Sequence, residues 1–249
     1  MLEHKKIQNL SDYFVELNSR REKGVYFYRI NGYSEEVGEF IKKYYDTARR
    51  TGVVIEGKIP NPDEGNLAYY NEIMGMDFQM SMDFIHVSLR KWLPRMNEFQ
   101  RQNVAASIYD SLDSLRKAGK TENMLRNAYI KFMCWLYYKF ERIVNQLGEN
   151  HIPKILYEGQ ISNYELMLIS ILSNAGCDVV LLQYAGDQGY LKTDPGSVLS
   201  DSLQMELLEG RVPEKACGWF QPGGRFRMNL TMRDCMESDL RLQIVQMHG

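Results

Sequence analysis

Residues 152–188 read IPKILYEGQISNYELMLISILSNAGCDVVLLQYAGDQ, and the changes of pattern within them decide the fold. Pro153 precedes a short apolar strand, Lys154 to Tyr157. The polar loop Glu158-Gly-Gln-Ile-Ser162 ends on a serine suited to cap a helix. Tyr164 to Asn174 then carries an apolar helical face, and Gly176 stands where a helix stops. Asp178 to Gln183 follows as a strand, and its run Val179-Val-Leu-Leu182 is apolar on both faces, as in a parallel strand covered from both sides. Strand, helix and strand joined by a right-handed crossover predict adjacent parallel strands at 154–158 and 178–183.

A similar unit lies near the start of the chain. Val25 to Ile30 is β-branched and aromatic, Ser34 followed by Glu36 and Glu39 opens a helix, and Gly52 ends it before the strand 53–56. The two units resemble each other enough to suggest an internal repeat. Leu10, Tyr13, Phe14 and Leu17 are spaced for one short amphipathic helix ahead of them. Between the units, residues 67–149 are helical in pattern, and a stripe from Leu125 to Leu147 marks one long helix from about Glu122. Val198 to Leu208 reads as a further helix, and Phe220 to Arg225 as a turn. The expected fold is α/β: a mostly parallel, Rossmann-like sheet from β-α-β units with a large helical insertion. Its segments are 1–66, 67–149 and 150–249.

Composition narrows the function classes. There are 30 Lys and Arg against 32 Asp and Glu, a net charge of −2. Duplex binding relies on a basic excess to neutralise phosphates, so no nucleic-acid partner is expected. The longest apolar cluster, Phe132 to Tyr138, is far short of the ~20 residues that cross a bilayer. The opening MLEHKKIQNLSDYF has no apolar signal stretch. A cytoplasmic protein with no membrane partner is the expectation.

Candidate site residues sit where strands end. In open parallel sheets, ligands lie beyond the carboxyl ends of strands, where loop amides and helix N-termini favour anions. Gly159 would let backbone approach a ligand, Ser162 would supply a hydroxyl, and Glu158 would hold a ribose or a metal. A tight turn with a helix cap explains the same residues. Gly186 and Asp187 occupy the equivalent loop one strand later, and Glu158 with Asp187 would form a carboxylate pair for Mg²⁺. Asp and Gly are also the commonest turn formers, and a plain turn accounts for these residues first. Arg29 and Asn31 close the first strand and Glu56 its partner; Arg29 would fork a phosphate, or simply point outward on an edge strand. Gln221 to Arg227, with two glycines and two arginines, is either an anion-binding nest or a hairpin turn. The four histidines are scattered, and no serine or cysteine stands in a nucleophile motif. The aromatic run Trp135-Leu-Tyr-Tyr138 reads as core or interface.

The segment 152–188 resembles the bacterial YceG-like family through ILYEG, the capped turn, ELMLISIL, AGCDVVLL and the following Gly-Asp. The FYRINGY strand and the Trp/Tyr-rich helix fit the same resemblance. It implies a component of a biosynthetic module in tellurium-resistance and stress gene clusters, acting beside other proteins of that cluster. A phosphorylated or nucleotide-like metabolite is the implied ligand. The resemblance carries no catalytic residues, and it implies a longer chain of which this is a fragment. The membrane-anchored lytic transglycosylase of similar name is a different protein. The competing class is a non-catalytic scaffold that docks partner subunits through its helical middle.

Cys134, Cys177, Cys217 and Cys235 show no paired metal spacing. They are expected to be reduced thiols. Mass spectrometry of unreduced protein should give four free thiols, and an intramolecular disulfide would contradict the assignment.

Overall fold

A computed structural model describes residues 2–32, 34–60, 68–148, 152–183 and 186–204. Within them lie strands β1 (Phe27–Asn31), β2 (Val53–Glu56), β3 (Lys154–Glu158), β4 (Asp178–Gln183) and β5 (Asp201–Gln204). The helices are α1 (Glu35–Thr51), α2 (Ala68–Met74), α3 (Met82–Trp92), α4 (Glu98–Lys117), α5 (Glu122–Trp135), α6 (Glu141–Val144), α7 (Asn163–Ala175) and α8 (Gln188–Thr193). All five strands are parallel in one sheet ordered β2-β3-β4-β1-β5. The fold is therefore α/β and Rossmann-like, with β3 and β4 adjacent and joined by α7 as expected. Strands β1 and β2 are not neighbours, because β3 and β4 lie between them. The two similar units are interleaved in one sheet.

Chain direction decides which face each helix covers. From β3 to β4, and from β4 to β5, the chain moves one way across the sheet; from β1 to β2 it moves the other way. Right-handed crossovers then put α7 and α8 on one face and α1 on the opposite face. The cores agree. Phe27, Ile155, Tyr157, Val179 and Leu181 pack with α7, Tyr190 and the helical insertion. Tyr28, Ile30, Leu156, Val180 and Leu182 pack with Val37, Phe40, Ile41 and Tyr44 of α1.

Three local expectations change. The segment from Leu10 is two 3-10 turns, Leu10–Phe14 and Leu17–Ser19. The long helix from Glu122 is interrupted by a π turn, Leu136–Phe140, before α6. The helix expected from Val198 is a turn and strand β5 over its described part, and 205–208 lie outside the described residues. Leu199 and Leu203 have i, i+4 spacing but pack on opposite faces of the sheet, so their helical look is accidental. Trp135 and Leu136 are core residues, as expected.

The amino edge of the sheet closes around one carboxylate. Asp178, fully buried, accepts Arg20 Nη1 at 2.9 Å and Nη2 at 2.5 Å, Lys154 Nζ at 2.5 Å and the Tyr26 amide at 2.9 Å. Burial lowers the Lys154 amine from its ordinary value, and the Asp178 charge opposes that shift. Tyr44 Oη donates to Asp178 O at 3.0 Å, and Tyr13 Oη to Val179 O at 2.9 Å. Cys134 and Cys177 are free and buried; burial raises Cys134 to about 11 and Cys177 further. Cys217 and Cys235 lie outside the described residues.

Removing the Asp178 charge strands two buried cations. Asp178→Asn should lower stability by about 3–5 kcal/mol in urea denaturation. A loss under 1 kcal/mol would show that the cluster is solvated.

Candidate functional site at the carboxyl edge

Loops leaving neighbouring strands toward opposite faces open a crevice between them. Here that happens at β1 and β4, whose chains depart for α1 on one face and α8 on the other. The crevice contains a buried polar network built on Arg29 and Asn31. Both residues point to the α8 face, in register with Leu181 and Gln183 of β4. Arg29 is 1% exposed and Asn31 2%. Strand β1 is interior, flanked by β4 and β5, so the outward edge-strand position considered for Arg29 does not occur.

Arg29 Nη1 donates to the carbonyl and hydroxyl oxygens of Ser200, both at 2.8 Å, and Nη2 to Ser197 Oγ at 2.7 Å. Its guanidinium lies 4.2 Å from the Tyr190 ring centroid. Asp187 Oδ2 accepts Asn31 Nδ2 at 3.1 Å and Arg29 Nη2 at 3.3 Å. Asn31 Nδ2 also donates to Ser202 Oγ at 2.9 Å. Behind these groups, Ser200 Oγ donates to Tyr190 Oη at 2.8 Å, which donates to Asp194 Oδ2 at 2.9 Å. Burial raises the Tyr190 hydroxyl, so it stays a neutral donor. Asp194 also receives the amides of Val198 and Leu199, which fixes the turn presenting Ser197 and Ser200. Ser197 itself has φ +50°, an uncommon backbone state for a residue with a side chain.

Two polar atoms of this network have no hydrogen-bond partner among the described residues: Arg29 Nε and Asn31 Oδ1. One is a donor and the other an acceptor. A buried polar atom without a partner costs about 1–3 kcal/mol, so the pair is an expensive feature unless another group meets it.

The other predicted residues stand apart from that crevice. Pleat alternation puts Glu158 on the face of Leu156, toward α1, while Asp187 serves Arg29 and Asn31 on the face of α8. The expected Glu158–Asp187 carboxylate pair for Mg²⁺ does not form in this geometry. Glu56 and Glu158 are instead register partners at the ends of β2 and β3. Among the described residues, no three His, Cys, Asp or Glu side chains gather as metal donors. Gly159, at φ +123°, admits the backbone of Gly57, which a Cβ there would meet at 3.1 Å. Gly186, at φ +87°, has open space around it and leads into Asp187. Gln221 to Arg227 lie outside the described residues.

Ser162 does precede α7, and the carboxylate of Glu165 organises its loop. Buried Glu165 accepts the Ser162 amide at 2.9 Å and the Ile59 amide at 2.6 Å, joining the loops after β3 and β2. Tyr157 Oη adds a bond to Gly57 O at 3.1 Å. Sequence reasoning singled out Arg29 and Asp187 and placed Asn31 at the strand end without a role, but missed Ser197, Ser200, Ser202, Tyr190 and Glu165. A Ser three residues before a Glu was a visible capping signal for Glu165. The serines, more than 165 residues away from β1 in sequence, carried no local signal.

A family model described as the YceG domain matches residues 5–214. The chain belongs to the YceG domain family. That match takes in the sheet and every residue of the crevice. No curated protein and no solved structure matches the chain. Among the described residues, no helix of this YceG domain is long and apolar enough to cross a membrane.

Glu165→Ala deprives two amides of their acceptor and should cost about 1–3 kcal/mol by chemical denaturation. An unchanged midpoint would mean that solvent replaces the carboxylate there.

Proposed function

We propose that the chain binds a small phosphorylated or nucleotide-like metabolite in the crevice between β1 and β4, as a cytoplasmic component of a stress-linked biosynthetic module of the tellurium-resistance type. The observation that supports it is the buried Arg29 at a topological switch point, with its Nε and the neighbouring Asn31 Oδ1 left without partners among the described residues. An Arg in that place suits an anionic oxygen, and a free amide oxygen suits a hydroxyl or amino donor. A sugar phosphate or nucleotide offers both. Asp187 orients the two side chains and compensates the Arg29 charge; in this reading it is a positioning residue and not a metal ligand.

A second reading is favoured by one observation. Five of the six large apolar side chains exposed among the described residues, Tyr70, Met82, Val87, Phe99 and Met124, belong to the helical middle. A scaffold that docks other proteins of its gene cluster would place such residues there.

Calorimetric titration of nucleotides and sugar phosphates, with and without Mg²⁺, separates the two. Wild type should bind one of them, and Arg29→Lys, which keeps the charge but loses the guanidinium fork, should weaken binding about tenfold or more. Asn31→Ala should weaken it similarly, while Glu158→Ala should leave it unchanged. Binding that survives both Arg29→Lys and Asn31→Ala would overturn the assignment.

A further inference from the structure

Strand β2 ends the sheet, and among the described residues no strand pairs with its outer side. Gly57 N donates inward to Glu158 O at 2.7 Å, so residues 53, 55 and 57 direct their backbone groups to β3. Alternation then turns the backbone groups of Val54 and Glu56 outward. Glu56 O accepts the Lys58 amide, and Arg142 donates to Gly52 O. The Val54 amide and carbonyl and the Glu56 amide face out.

Natural proteins blunt exposed edges with charge, proline or very short strands. The two edge strands are equally short at four residues, but β5, at the far edge, is polar. β2 carries Val53, Val54 and Ile55, and its two ends have opposite charge. Glu56 stands at the carboxyl end, Arg49 and Arg142 beside the amino end. An open groove of about 480 Å³ runs along it, lined by Tyr45, Arg49, Val54, Glu56 and Arg142.

That pattern is self-complementary. We propose that β2 pairs antiparallel with β2 of a second copy of this chain, across a twofold axis at Val54, joining the two five-stranded sheets into one. Val54 then exchanges both backbone bonds with its mate. In that register Glu56 of each copy lies opposite Gly52 of the other. Gly52 has no side chain to fill the space, so the Glu56 carboxylate enters the groove between Arg49 and Arg142. A parallel pairing would set like ends together. The interface is isologous, so each favourable contact occurs twice.

Sedimentation equilibrium of the full chain over a range of concentrations tests the proposal. Wild type should be a reversible dimer. Glu56→Arg, an exposed position, should raise the dimer dissociation constant about tenfold or more, because attraction becomes repulsion at two symmetric contacts. The reciprocal pair Glu56→Arg with Arg142→Glu should restore most of it. Val54→Pro removes an outward amide without touching the β3 ladder and should give a monomer with unchanged circular dichroism. A wild type that is monomeric throughout overturns the proposal, and so does a dimer indifferent to both Glu56→Arg and Val54→Pro.

Discussion

The architecture depends on keeping one negative charge, Asp178, out of water. Its carboxylate holds Arg20 from the N-terminal segment, Lys154 from the start of β3 and the Tyr26 amide ahead of β1. The N-terminal stretch around Arg20 and Tyr26 is thereby joined to the start of β3, more than 120 residues further on, at one end of the sheet, around the first residue of β4. Isolated buried ions are costly, and this cluster holds two cations for one anion. Burial lowers the Lys154 amine, and the neighbouring Arg20 charge adds to that shift while Asp178 opposes it. Aromatic packing closes over it: the Arg20 guanidinium sits 4.1 Å from the Tyr26 ring centroid, and Tyr13 and Tyr44 cap strand carbonyls. Gly52 takes part sterically, since a Cβ there would lie 1.7 Å from Lys154 O.

With the amino edge committed to structure, the carboxyl edge is free for other chemistry, and it divides in two. At β2 and β3 the loops are tied to each other through Glu165, Tyr157 and the contact of Gly57 with Gly159. Those are interactions of a closed joint. At β1 and β4 the loops leave for opposite faces and the polar groups exceed their partners. Strand order and pleat alternation together explain why Glu158 and Asp187, both at carboxyl ends, have unlike surroundings.

What was legible in the sequence follows from range. β3, α7 and β4 form one local unit whose apolar runs, cap and glycine stop lie within about 30 consecutive residues, and it was read correctly to within a residue or two. Ser34 and Gly52 bounded α1 for the same reason. β5 was missed because Asp201-Ser-Leu-Gln has half-buried and exposed positions alternating, with no apolar run, and it exists by pairing with β1. The π turn at Leu136–Phe140 has no breaker residue to announce it. Arg29 was visible as a strand-end arginine, but its burial was not, because strand order is a property of long-range pairing and of no local pattern.

The face on which Arg29 lies has a further consequence. Being on the side of α7 and α8, it shares its layer with the helical insertion, not with α1. Tyr190, stacked under its guanidinium, belongs to the same apolar cluster as the insertion helices α4 and α5. Packed cores transmit small displacements because they have little free volume. A partner pressing on the insertion would therefore act on the layer that holds Tyr190, Asp194 and Ser200 in place. Contact with α1 would reach the crevice only across the sheet. If the chain both binds a ligand and docks a partner through its helical middle, the two events share one packed layer, and coupling between them needs no element beyond those that build the core.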